Sequence, residues 1–458
     1  MLLHFACDNF KSFRDGFQLN MIPEKRMTEL DYSILEEEIA GQKMTGLSAS
    51  VIYGPNAVGK TSIVNGMSCM RQIILRGNIR DAVDDCSGDH VSRLALAPFA
   101  FRDAAVPVHF DATFTFHGVK YRYVIAVFLG TFLEKNAERY IDREQLYVND
   151  VMVFDRTKDA VEKLKLDAIA DHLNVGYEAK DAEKTRKAMS NNITPDSLLL
   201  MTDFNSFCSK KLAKEIRQWF EEQFIVVNSS DRTCFYPGMP EDDSQAMSNV
   251  YINKIAQEAG IIGSDFAYVN DLETHTTKLM SVLQKTDSER YGLDADRIES
   301  PGTMRLISIM PVILSVLHKG AVLVMDELDA SLHPMIVMNL ISIFHNDGVN
   351  TNGAQLIFNT HNPIYMNHSL LRRDEIKFVE RDKETKSSHL YALSDFRANG
   401  EASVQKTSEY MKNYFLNRYG AIEDVDFTDI VTEVLKGAER GDEEGIKAVQ
   451  HVRRGEQQ

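Results

Sequence analysis

Gly54-Pro55-Asn56-Ala57-Val58-Gly59-Lys60-Thr61 follows the apolar run Ser48-Ala49-Ser50-Val51-Ile52-Tyr53. It precedes a segment, Thr61 to Leu75, in which Ile63, Val64, Met67, Met70, Ile73 and Ile74 recur at helical spacing. Strand, glycine loop and helix in that order fit the pattern G-x-x-x-x-G-K-[ST]. Small residues in such a loop let the backbone N–H groups of Asn56, Ala57, Gly59, Lys60, Thr61 and Ser62 curl around phosphate oxygens at the positive end of a helix. Lys60 would neutralise β- and γ-phosphate charge, and the Thr61 hydroxyl would ligate Mg2+. The expected ligands are therefore ATP and Mg2+.

Two later strands carry matching chemistry. Ala321-Val322-Leu323-Val324-Met325-Asp326-Glu327 is an apolar run ending in two acids, which places Asp326 beside the magnesium and Glu327 where it polarises an attacking water. Taken alone, a buried strand capped by a solvated acidic turn would look the same. Asp329, in Leu328-Asp329-Ala330-Ser331-Leu332-His333-Pro334, is placed to reach across a dimer interface. A further strand, Gln355-Leu356-Ile357-Phe358-Asn359, ends in Thr360-His361-Asn362-Pro363. In open α/β sheets ligands gather at the carboxyl ends of the strands, so His361 is expected at the γ-phosphate with the acids. The segment Glu299-Ser300-Pro301-Gly302-Thr303-Met304-Arg305 reads as a helix start that holds an anion or, equally, as a plain cap with Ser300 at N-cap and Pro301 at the first helical position.

Outward from these motifs the chain divides into four spans. Residues 1–154 open with a strand, Met1 to Cys7, a basic link, Asn9-Phe10-Lys11-Ser12-Phe13, and the loop; from Val106 to Val153 the apolar period changes to two, predicting an antiparallel meander that turns at His117-Gly118. Residues 155–290 are richer in charge and helical spacing, as in Ala182 to Met189 and Lys210 to Phe224, and read as a mostly helical insertion whose heptads are too short and irregular for a long coiled-coil arm. Residues 291–425 return to α/β character, and 426–458 read as a charged helical tail. The phosphate site would thus be assembled from both ends of the chain.

With 458 residues and 44% hydrophobic content the chain supports a full globular core. No stretch reaches the roughly 18 to 20 uninterrupted apolar residues that span a bilayer, and the first residues lack a signal peptide's basic flank, so a cytoplasmic protein without a membrane partner is expected. Cys7, Cys69, Cys86, Cys208 and Cys234 are scattered, without the close pairs of zinc or redox sites, and read as free thiols. A net charge of −16 argues against general nucleic-acid coating, though a local basic groove stays open.

The ordered set GPNAVGKT, ESPGT, VLVMDELDASLHP and FNTHNP resembles the ABC-type (AAA/SMC-like) ATPase heads, a class that includes SMC proteins, RecF and the OLD-family nucleases. The resemblance implies a mixed sheet with flanking helices plus the β meander. The finer resemblance, over roughly residues 1 to 425, is to stand-alone ATPases of bacterial anti-phage and abortive-infection systems of the RloA or AbiL type. It rests on the meander, a Glu144-Gln145-Leu146 turn, the ESPGT segment, the Asp326 to Pro334 run, Arg372-Arg373-Asp374-Glu375-Ile376 and Asn417-Arg418-Tyr419-Gly420-Ala421-Ile422. It implies ATP hydrolysis in a homodimer or larger homo-oligomer, with each nucleotide sandwiched between one phosphate loop and the partner copy's Ser300 to Gly302 signature. The family's first-strand motif suggests that Lys11 approaches the nucleotide.

The resemblance also implies an effector partner, commonly a TOPRIM-type nuclease, and a phage protein as trigger. The signature departs from the usual Leu-Ser-Gly-Gly, and no glutamine loop is recognisable. The alternative function is a DNA-repair or chromosome-maintenance ATPase of the RecF or SMC type that acts directly on DNA. A transporter's ATPase subunit fits less well, given the long insertion and altered signature.

Overall fold

The computed structural model describes residues 1–25, 27, 30–80, 94–134, 137–176, 178–228, 246–248, 250–271, 276–286, 289–395, 409–423 and 425–439. Met1–Ala421 forms one compact unit and Ile422–Gln458 a second.

The chain opens with β1 (Leu2–Asp8) and β2 (Phe17–Asn20), followed by the hairpin β3 (Ile34–Ile39) and β4 (Gln42–Leu47). β5 (Ala49–Tyr53) is buried along its whole length and feeds the glycine loop, from which α1 (Lys60–Arg76) departs. The apolar stripe predicted for α1 is buried, and Gly77 closes the helix with its N–H on the Ile73 and Ile74 carbonyls. The meander comprises β6 (Val108–Phe116), β7 (Val119–Phe128), β8 (Tyr140–Val148), β9 (Val151–Thr157) and β10 (Val161–Leu164). Its turns at His117-Gly118 and Asn149-Asp150 have positive φ at both central residues, the two-residue geometry whose twist suits a hairpin. Glu144, Gln145 and Leu146 lie inside β8, paired to β7 and β9, and not in the expected turn. The buried Glu144 carboxylate accepts from the Leu199 and Leu200 N–H groups, Tyr123 and Arg156, which ties the strand to a distant loop.

Next come α2 (Ala182–Asn191), α3 (Lys210–Gln218), β11 (Phe224–Val227), β12 (Ala246–Ser248), α4 (Val250–Glu258), β13 (Ser264–Asp271), β14 (Thr276–Thr286), β15 (Glu289–Asp294) and α5 (Ala295–Ile298). This content differs from the mostly helical insertion expected over 155–290. β12 to β15 form a four-stranded antiparallel sheet, and β11 joins the nucleotide-side sheet. The physical reason is that Val269, Thr276, Thr277 and Val282 favour extended backbone, and cross-strand pairing in consecutive register outweighs the charge-rich spacing that suggested helix.

The chain then runs through α6 (Pro301–Lys319), β16 (Val322–Met325), α7 (Pro334–His345), β17 (Gln355–Asn359), β18 (Ile376–Arg381), β19 (Ser388–Ala392) and α8 (Tyr410–Phe415). α6 is long and apolar enough to cross a membrane by composition alone; Leu306, Ile307, Ile309, Met310, Val312, Ile313 and Val316 are buried, while Leu314 is exposed. In the second unit, α9 spans Thr428–Glu439; the rest of the expected tail, residues 440–458, like Cys86 and Cys234, lies outside the described residues.

Two sheets organise the first unit. A seven-stranded antiparallel sheet has the order β10-β9-β8-β7-β6-β1-β2, and a six-stranded sheet the order β11-β16-β17-β5-β18-β19. The latter is parallel except for the β18–β19 hairpin. One core takes in Phe110, Phe114, Tyr121 and Leu146 of the first sheet, Ile63, Met67, Met70 and Ile74 of α1, and Ile52, Val322, Val324 and Ile357 of the second. Because β5, β17 and β16 are adjacent and parallel, their carboxyl ends emerge side by side, and those ends carry the glycine loop, His361 and the acid pair.

Candidate nucleotide site

The loop leaving β5 needs glycine at two points. A Cβ on Gly54 would lie 2.5 Å from the Val379 carbonyl oxygen, and Gly59, the N-cap of α1, has φ 112°. Asn56 and Ala57 are exposed at the apex, and Ala57 is itself left-handed at φ 61°. Inside the loop, the Lys60 ammonium donates to the Gly54 and Pro55 carbonyls, each at 2.7 Å, and lies 3.2 Å from His361 Nδ1. Lys60 is 5% exposed, and burial lowers its pKa to about 8 against the opposing pull of Glu327, Asp326 and Asp329.

The parallel register pairs Met325 with Phe358, so Asp326 stands level with Asn359. Asp326 Oδ1 accepts from Thr61 Oγ1 at 3.1 Å and from Asn359 Nδ2. Asn359 Oδ1 in turn accepts the Glu327 N–H at 2.7 Å, where Glu327 takes a left-handed φ of 51°. The Glu327 carboxylate is 3.9 Å from His361 Nε2. An ammonium can only donate, so a hydrogen bond from Lys60 makes Nδ1 of His361 the acceptor and puts the ring proton on Nε2, facing Glu327. Burial, with Lys60 adding to it, lowers the His361 pKa and keeps the ring neutral. The Thr61 hydroxyl and the Asp326 carboxylate form a hard-oxygen pair of the kind that suits Mg2+, which keeps several waters of its own.

Lys60, Thr61, Asp326, Glu327 and His361 are thus brought to one point. Asp329 adjoins them but is held within the chain, with Oδ2 accepting from Thr360 Oγ1 at 2.7 Å. Ser300 and Gly302 sit on the first turn of α6. Ser300 is exposed and caps the helix by accepting from the Thr303 N–H at 3.1 Å, and Gly302 packs so closely on the Ser331 carbonyl that a Cβ would lie 2.5 Å from it. Lys11 lies over the Phe10 ring at 5.6 Å; its segment touches the start of α1 through Ser12, whose hydroxyl is 3.4 Å from that of Ser62.

Several residues that the motif reading passed over complete the site. Asn359 links the Asp326 carboxylate to the backbone of Glu327; its position at a strand end level with Asp326 was the available signal. The β18–β19 hairpin braces the loop: Ser388 Oγ donates to the Val58 carbonyl, the Ser388 N–H to the Ser12 carbonyl at 2.8 Å, and Arg381 to the Ala57 carbonyl at 3.4 Å. No local pattern marks these contacts.

A central parallel strand delivering a phosphate loop, between an acid-ended and a histidine-ended strand and backed by an antiparallel sheet, defines an ABC-type P-loop ATPase head. The sequence matches the family described as "AAA domain, putative AbiEii toxin, Type IV TA system" over residues 49–176 and 213–367, and the chain belongs to that family. No curated protein matches it. Among solved structures it is similar to the SMC head domain from Thermotoga maritima, at 14% identity and TM-score 0.34, covering 85% of this chain and 98% of that one. It is also similar to the Smc head domain with an extended coiled coil bound to the C-terminal domain of ScpA from Pyrococcus furiosus, at 12% identity and TM-score 0.33, covering 85% and 96%.

Proposed function

We propose that this protein binds and hydrolyses ATP with Mg2+ as a nucleotide-gated homodimer or larger homo-oligomer in the cytoplasm, and that it serves as the sensor or scaffold of a bacterial anti-phage defence system controlling an effector nuclease. The observation that carries the ATPase reading is the convergence of Lys60, Thr61, Asp326, Glu327 and His361 at adjacent strand ends. The family's toxin–antitoxin description supports the defence context.

In this reading Lys60 leaves its two loop carbonyls for the β- and γ-phosphates, and Thr61 and Asp326 would hold a magnesium ion, which would supply charge neutralisation at the phosphates. Glu327 orients the attacking water, and His361, donating from Nε2, holds the γ-phosphate in line. Ser300 and Gly302 of the second copy close the far side of the nucleotide, and Asp329 meets that copy from its place on the turn. Lys11 and the loop N–H groups from Asn56 to Ser62 contact the remaining phosphates.

Steady-state hydrolysis of Lys60→Ala and Glu327→Gln tests the site. Each is expected to lose about 100-fold or more in kcat, the scale of removing one transition-state contact, with Glu327→Gln still binding ATP. Unchanged hydrolysis in both variants would reject the assignment. The same assay with DNA, phage lysate proteins and a neighbouring-gene protein separates the contexts: strong stimulation by DNA alone would make this a DNA-acting ATPase.

A further inference from the structure

Arg305 lies one turn into α6, beyond Ser300 to Thr303, and points back toward the acid pair. Its Nη2 donates to the Glu327 carbonyl oxygen at 3.4 Å, the outer edge of a hydrogen bond. Its Nε is buried and has no acceptor among the described residues. Burial lowers its pKa, and the charges of Glu327 and Asp326 act against that shift.

A buried donor left unpaired is unfavourable, so the guanidinium is only partly satisfied where it stands. The residue it grips is also strained, because Glu327 holds left-handed backbone, φ 51°, at a non-glycine position. Glu327 is held there through its N–H by Asn359 and through its carbonyl by the Ala330 N–H at 3.0 Å, with Arg305 as a second, longer donor to the same oxygen at 3.4 Å. A second link, the Gly302 approach to the Ser331 carbonyl, ties the same helix turn to the same acid turn. A shift of the first turn of α6 is therefore transmitted directly to the peptide that carries the Glu327 carboxylate.

We infer that Arg305 is a positioning residue that couples the Ser300–Gly302 turn to the conformation of Glu327 within one chain, so that whatever engages that turn sets the water-orienting acid. This rests on the ATPase reading above. Among the described residues no hydrogen bond joins Arg305 to Lys60 or Thr61, so nucleotide binding and the chemical step are expected to separate under its mutation.

In the full-length protein, Arg305→Met is expected to lower kcat about 100-fold, the effect of a displacement on the order of 1 Å at a reacting group, with KM and nucleotide affinity within about twofold and the melting transition retained. Should Arg305→Met not fold, Arg305→Lys carries the test: an ammonium keeps the charge but lacks the two-nitrogen fork, and a loss of about tenfold or more in kcat at unchanged KM is expected. A folded variant whose kcat stays within about threefold of wild type, or whose nucleotide binding falls in step with kcat, overturns the coupling. Lys60→Ala and Glu327→Gln run alongside. If they too hydrolyse normally the site assignment fails, and if only the Arg305 variants do, the coupling alone fails.

Discussion

The Lys60 ammonium, enclosed by the Gly54 and Pro55 carbonyls and faced by a neutral imidazole, has its pKa lowered to about 8 by burial. Its unfolded value is near 10.5, so the folded state binds fewer protons than the unfolded one between those values. The penalty for burying the charge is fully present below about pH 8 and is relieved as pH rises toward 10.5, so this group's share of stability increases with pH in that window. Phosphate favours the charged lysine. ATP binding at pH 9 is therefore expected to take up a proton, and at pH 7 this lysine takes up none; calorimetry in two buffers of different ionisation heat measures it. Affinity should weaken above about pH 8, by at most about tenfold per pH unit. Absence of uptake at pH 9 would show that Lys60 is already charged in the free protein or stays out of the phosphate contact, and weaker ATP binding by Lys60→Ala at pH 7 separates the two.

Between residues and molecule stand two joints whose strength is set by close packing. At the first, a methyl group on Gly302 would meet the Ser331 carbonyl oxygen at 2.5 Å. Gly302→Ala must push α6 from the acid turn, and a loss of about 1–3 kcal/mol is expected in chemical denaturation, together with slower hydrolysis; an unchanged midpoint would show that the two segments are not locked. At the second, Glu144 inside β8 is fully buried and serves the Leu199 and Leu200 N–H groups, Tyr123 and the buried Arg156. Glu144→Ala leaves a guanidinium without its carboxylate, a change that costs about 3–5 kcal/mol. Urea unfolding monitors it, and a loss under about 1 kcal/mol would show that the ion pair is not an anchor of the meander.

For the whole molecule the open face of the site is the relevant fact. Glu327 and His361 side chains are 43% and 44% exposed, whereas Asp326 is buried, so in the proposed function the chain itself would enclose the metal side of the nucleotide and leave the attacking side uncovered. A second copy supplying Ser300 and Gly302 would cover it, and closed two-fold pairing would do so for both nucleotides at once. Light scattering on Glu327→Gln is expected to show the mass of a dimer or larger assembly with ATP and a smaller species with ADP; a nucleotide-independent mass would reject the gate. The net charge of −16 predicts weak binding to non-specific duplex DNA at physiological salt, which a titration in varied salt measures.

The sequence by itself determined the β5–loop–α1 unit, the two strands that end in Asp326-Glu327 and His361, and the hairpin meander. Each is written in consecutive residues, as a periodicity of side chains or as chemistry at fixed spacing. Tertiary structure alone decided that Asn359 faces Asp326, that Arg305 reaches Glu327 from 22 residues away, that β18 and β19 brace the phosphate loop, and that β13, β14 and β15 pair as strands. The Glu144 segment misled for the same reason. Its polar residues suggest a turn when taken with their neighbours, and only the distant N–H groups of Leu199 and Leu200 with the Arg156 guanidinium, brought to it by folding, make a buried carboxylate in mid-strand favourable.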